Sequence, residues 1–293
     1  MSAKGRIADP PRTIVEFPHP SQPSSRLLVP REHGSWGIWL LPLISGGVVG
    51  YVSGPGSEAT PAVWFCLAAL CAFLIYQPLE ILLGFSILKA RSPQQERIAL
   101  LWVMALAIVA ACSVLELIRL QRALVLLFGL AALLCFGVRT MLGCSRTLRV
   151  PKQFIGALGL TSTAAGAYYA TAGRIDRTAL VLWLASWLFA VSQIEYVQLR
   201  LHTAHVRLRR QKARYCLEVC FLHLLIMGSA IAAGLAGAAP LALGLAFVPA
   251  IVRLAASIAR PWRPLDLHIL GFSELFQGVL FNTLLVAAFL VRI

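Results

Sequence analysis

The sequence predicts an all-α fold: a polytopic bundle of about nine transmembrane helices with its amino terminus inside and its carboxy terminus outside. Three observations carry this expectation. Hydrophobic residues make up 59% of 293 and charged residues 13%, with a mean hydropathy of +0.78, whereas soluble domains hold about 45–50% apolar and about 25% charged residues. Nine apolar runs approach the roughly 20 residues that a bilayer-crossing helix needs. The Lys and Arg residues flanking those runs, with Arg253 counted at the inner end of the eighth, fall 21 on one side and 5 on the other, and positive charge is retained on the cytoplasmic side. A missed span would scramble this alternation from that point onward.

Residues 1–30 are rich in Pro and Ser, carry Lys4, Arg6, Arg12 and Arg26, and lack an apolar stretch. They read as a disordered cytoplasmic tail and not as a signal peptide. Residues 31–293 then form one helical transmembrane domain. The expected spans are 36–53, 61–88, 98–117, 123–138, 154–172, 178–199, 215–237, 240–258 and 268–290, the fourth being short. The fifth brings Gly159, Ser162, Thr163, Gly166 and Ala170 near one face, and small faces let helices approach closely. Pro78 and Pro249 lie within spans and should kink them.

The net charge of +14 sits in short loops beside apolar runs, so it reads as topology and contact with anionic membrane lipids and not as nucleic-acid binding. Seven cysteines lie in or beside apolar runs without a Cys-x-x-Cys pair, as packing residues do. His202 and His205 can share a helical face but lack a fixed third ligand, so no metal site is assigned.

Ionised groups within a bilayer cost about 2.5–3.5 kcal/mol on insertion scales, which makes them functional candidates. The topology brings Glu80, Glu195, Glu274 and His33 to the inner membrane face as candidate catalytic groups. Glu32, Gln77, Gln193, Arg200, Arg260, Arg263 and Gln277 accompany them as candidate substrate-binding groups. Gln277 follows Glu274 at i+3, on the same helical face. The alternative is that these carboxylates pair with inner-loop arginines at the water interface.

The segment Pro30-Arg31-Glu32-His33-Gly34-Ser35-Trp36, followed by Leu41-Pro42, resembles the opening of the YwiC-like membrane protein family. Arg260-Pro261-Trp262-Arg263-Pro264 and Gly271-Phe272-Ser273-Glu274 resemble that family's later Arg-Pro and Gly-x-x-Glu motifs. The resemblance implies an integral protein of a bacterial inner membrane and carries no activity with it.

A more distant resemblance is to the UbiA-type intramembrane prenyltransferases, which also have nine helices and a chamber opening to the cytoplasm. Gln77-Pro78-Leu79-Glu80 and Gln193-Ile194-Glu195-Tyr196 stand where those enzymes carry polar motifs. The resemblance implies an isoprenoid diphosphate or another anionic amphiphile as ligand and, if the protein is an enzyme, a prenyltransferase-like transfer. This chain has no Asp in either helix, so the expectation is an arginine grip through Arg200, Arg260 and Arg263, with at most a single Mg2+ near Glu80. A small-molecule transporter and a non-enzymatic membrane partner are the competing classes.

Topology is tested by cysteine labelling from outside in a background freed of native cysteines. Substitutions at Ser57 and Asp176 should react, and those at Gln94, Gln153 and His205 should not. Outside labelling of any of the last three would overturn the nine-span arrangement.

Overall fold

The computed structural model describes residues 33–53, 57–83, 93–142, 148–205, 209–259 and 266–291. Among these it contains nine helices: α1 His33–Val52, α2 Ala59–Leu82, α3 Pro93–Arg119, α4 Val125–Met141, α5 Arg149–Ala172, α6 Arg177–His205, α7 Arg209–Leu235, α8 Leu243–Ala259 and α9 Leu267–Leu290. The expected tail, residues 1–30, lies outside the described residues. So do residues 84–88 of the second expected span; the described part of α2 ends at Leu82 and a turn at Leu83.

Six helices, α1, α2, α3, α6, α7 and α9, are long and apolar enough to cross a membrane. The apolar α4 and α8 have 17 residues each, about 25 Å at 1.5 Å per residue, against a hydrocarbon core of about 30 Å. Both are extended at their outer ends by tight i to i+3 turns, Arg122 to Val125 before α4 and Pro240 to Leu243 before α8. These turns satisfy amides that would otherwise stand open in an apolar environment. The 24 residues of α5 are diluted by Gly, Ser and Thr, which reflects its place in the bundle. It is the central helix, buried along most of its length and flanked by α1, α2, α4 and α6.

The small residues predicted on α5 do not share one partner, since Gly159 faces Cys135 of α4 and Gly166 faces Phe65 of α2; the closest backbone approach is instead between α1 and the Ala164, Tyr168 and Thr171 side of α5. A Cβ at Gly46 would lie 2.0 Å from the Ala164 carbonyl oxygen, and one at Gly50 would lie 2.0 Å from Thr171 Oγ1 and 2.7 Å from the Tyr168 carbonyl oxygen. Glycines four apart share one helical face, and their missing side chains bring the two backbones together. On another side of α5, Gly166 receives the ring of Phe65 from α2, whose Cζ would be 2.2 Å from an added Cβ. Thr163 Oγ1 donates to the Trp39 carbonyl at 3.0 Å, a bond from α5 into the turn of α1 that contains Pro42. The helices α2 and α8 continue through Pro78 and Pro249.

Side-to-side bonds respect the predicted alternation. At the outer ends, Arg174 Nη2 donates to the Ser53 carbonyl at 3.1 Å, Arg122 Nε to the Ala170 carbonyl at 3.1 Å and the Glu58 amide to the Thr171 carbonyl at 3.2 Å. At the inner ends, Gln198 Nε2 donates to Gln153 Oε1 at 3.1 Å, and Arg139 lies 3.8 Å from Glu80. Each pair joins ends that the charge count puts on one membrane face.

The backbone contact between α1 and α5 gives a direct test. Gly50→Val should destabilise the folded protein by about 3 kcal/mol, because the added atoms meet backbone that cannot step aside. Gly129→Ala, where nothing lies within 4 Å of an added Cβ, should leave thermal stability in detergent unchanged.

Candidate functional site

Among the described residues, the most buried ion pair joins α8 to α9. Arg253 Nη1 donates to Glu274 Oε1, and the two side chains are only 10% and 14% exposed. The guanidinium lies over the ring of Tyr196 on α6, 3.9 Å from its centre, a cation–π contact that strengthens when water is excluded. Gln193 Nε2, one turn before Tyr196, donates to the Glu274 backbone carbonyl at 2.8 Å. Three helices thus fix one ion pair: α8 supplies Arg253, α9 supplies Glu274, and α6 brings Gln193 and Tyr196 one turn apart to meet them.

The opening motif stands beside this centre. Gly37 of α1 lies 3.8 Å, measured from an added Cβ, from Leu275 Cδ1, and Leu41 Cδ1 approaches Gly278. One turn further, Ser45 Oγ donates to Asn282 Oδ1 at 3.0 Å. This register runs α1 parallel to α9 and sets the first residue of α1, His33, level with Gly271. The first motif and the Gly-x-x-Glu segment are therefore neighbours. Trp36 is a packing residue, edge-on to Phe73 of α2 at 4.8 Å between ring centres, while Trp39 stacks on the same ring at 5.3 Å.

Not every predicted residue joins the Glu274 centre. Glu80 belongs to a second cluster, where Oε1 accepts from the Tyr76 hydroxyl at 2.5 Å and lies 3.8 Å from Arg139 of α4. Arg139 also covers the Tyr76 ring at 4.8 Å, and Gly156 of α5 leaves it room. Glu195 lies within electrostatic reach of Glu218 on α7 and of His202, toward a different neighbour from Gln193 and Tyr196. Gln77 and Arg200 are half-buried on α2 and α6. Glu32, Arg260 and Arg263, and the side chain of His33, lie outside the described residues.

The residue that sequence reading missed is Arg253. Counted with the inner-loop cations, it lies inside α8, about a turn and a half before the end of that helix. The signal was present: Arg253 falls within the eighth apolar run, and a cation at that depth needs a partner.

The metal that the prenyltransferase resemblance implies does not fit these residues. Glu80 is engaged by Tyr76 and Arg139, and Glu195 shares no site with it. Among the described residues no three His, Cys, Asp or Glu side chains come together as a cation site. A cation bridging a diphosphate asks for several oxygen ligands.

Helices of this length and composition, alternating through one bundle around a buried ion pair, define an integral, polytopic helical membrane protein. Residues 29–168 match the family model described as YwiC-like protein. The match runs through α1 to α4 and most of α5 and takes in the opening motif; it stops before the Arg260 and Gly271 motifs. No curated protein matches the chain.

The ion pair should behave as a unit. Removing one partner of a buried pair typically costs roughly 3–5 kcal/mol, because the other charge is left without compensation. Arg253→Met and Glu274→Leu should each lower stability by that order, and the double variant should recover most of the loss. Additive losses in a double-mutant cycle, read by thermal unfolding in detergent, would contradict the pairing.

Proposed function

We propose that this protein binds the oxyanion of an amphiphile inside the membrane, with the head group at the junction of α6, α8 and α9 and the apolar part among the helices. One observation carries the reading. Arg253 uses Nη1 for Glu274, while its Nε and Nη2 are buried without a hydrogen-bond partner in the protein. Those two nitrogens form the side-on edge of the guanidinium, a fork of parallel donors that matches two oxygens of a carboxylate or phosphate. Buried donors without partners are rare in folded proteins, and such a group calls for a ligand or ordered water.

This reading keeps the arginine grip expected from the sequence and moves its centre to Arg253. Arg260 and Arg263, expected from the sequence to take part in that grip, follow α8 directly in the chain. An isoprenoid diphosphate is one amphiphile with the required oxyanion. The placement of Glu80 and Glu195 supports binding without a carboxylate-held metal.

The test is retention of farnesyl diphosphate and of defined phospholipids by detergent-purified protein, read by native mass spectrometry. Binding should survive EDTA. Arg253→Lys, which keeps the positive charge opposite Glu274 but removes the fork, should weaken it about tenfold, or about 1.4 kcal/mol. Complete loss on chelation with Arg253→Lys unaffected would reject the arginine grip and restore a metal-held diphosphate.

A further inference from the structure

Among the described residues, seven buried side-chain polar atoms lack a hydrogen-bond partner, and five belong to residues around the Arg253–Glu274 pair: Arg253 Nε, Arg253 Nη2, Glu274 Oε2, Gln277 Oε1 and His223 Nε2. Gln277 is one turn from Glu274 on α9. His223 of α7 is 3% exposed and within electrostatic reach of Arg253. Its Nδ1 lies 2.9 Å from the Val219 carbonyl oxygen. A carbonyl only accepts, so in the neutral ring the proton sits on Nδ1 and Nε2 is left as an acceptor. The five atoms therefore comprise two donors on one guanidinium edge and three acceptors.

That inventory specifies a ligand. Two parallel donors take two oxygens of one acid group. Three acceptors, one of them a carboxylate oxygen, take N–H donors, and a primary ammonium carries three. Charge points the same way. Arg253 and Glu274 already balance each other, and net charge brought into a low-dielectric site is costly unless compensated. A diphosphate would bring several negative charges to a neutral centre, whereas a group bearing one oxyanion and one ammonium leaves the balance unchanged.

Resting on the oxyanion reading above, we propose that the head group bound at this centre is a net-neutral zwitterion: a carboxylate or phosphodiester seated on the Arg253 fork and a primary ammonium directed to Glu274, Gln277 and His223. The same chemistry occurs in a phosphatidylethanolamine head group and in a free small molecule such as glycerophosphoethanolamine.

The experiment is competition for wild-type protein in detergent among equimolar dioleoyl-phosphatidylethanolamine, dioleoyl-phosphatidylglycerol, dioleoyl-phosphatidylcholine and farnesyl diphosphate, with retained species counted by native mass spectrometry. Phosphatidylethanolamine should be retained about tenfold over phosphatidylglycerol, following the added ion-pair partner. It should also exceed phosphatidylcholine, whose quaternary ammonium has no N–H to give. Displacement of the lipid by glycerophosphoethanolamine would identify the free zwitterion as a sufficient ligand; retention of the lipid against it would identify the lipid as the source.

Equal or stronger retention of phosphatidylglycerol or farnesyl diphosphate by the wild-type protein overturns the zwitterion while leaving the oxyanion reading standing, provided that Arg253→Lys weakens them. Unchanged retention of every lipid by Arg253→Lys overturns both. Gln277→Leu removes one acceptor without touching the ion pair, so it should narrow the preference for phosphatidylethanolamine over phosphatidylglycerol in a protein that still folds. An unchanged preference in Gln277→Leu argues against the ammonium site.

Discussion

The bundle depends on the approach of α1 to α5. Lipid tails are as apolar as leucine, so helices in a membrane gain little from simple hydrophobic collapse and rely on close packing and interhelical hydrogen bonds. Gly46 and Gly50 supply the packing by letting the backbone of α1 touch that of α5 at Ala164 and Tyr168. Thr163 supplies a hydrogen bond to Trp39, about two turns before Gly46 and three before Gly50. With α5 held centrally, α1 can carry its other face to α9, where Ser45 meets Asn282. The register between α1 and α9, and so the depth of Glu274 beside the opening motif, follows from this contact.

Once that register is set, charge placement is governed by desolvation. Glu80 and Glu274 both lie inside helices and both meet an arginine carried by another helix. The pairs differ in what remains free. The Glu80 cluster joins a tyrosine hydroxyl, a guanidinium and an aromatic face between α2 and α4, partly exposed. The Glu274 pair leaves a donor edge and a carboxylate oxygen buried and open. On the reading proposed above, the pair with open buried atoms is the one that takes a ligand, and the Glu80 cluster holds two helices together.

The same physics limits the resemblance to intramembrane prenyltransferases that was expected from the sequence alone. Enzymes that hold a diphosphate through divalent cations need carboxylates gathered at one point. Here the helices that would bear them send Glu80 toward α4 and Glu195 toward α7. Similarity of helix number and sidedness does not transfer a reaction when the charged groups are distributed differently.

The membrane class and the number of helices were legible in the sequence by itself, and the flanking Lys and Arg residues supply an expected orientation. These properties are written in one dimension: apolar run length is set by bilayer thickness, and orientation by Lys and Arg in the flanking segments. The packing faces were partly legible, since the small residues of α5 stood out by spacing, although the matching glycines of α1 did not. Only the tertiary structure decided which carboxylate meets which cation. Glu274 and Arg253 are 21 residues apart on different helices, and Glu80 and Arg139 lie on helices separated by α3. Depth in a helix fixes that an ionised group needs a partner, but the rotation of each helix about its own axis fixes which one it finds. That rotation is set by side-chain packing across the whole bundle.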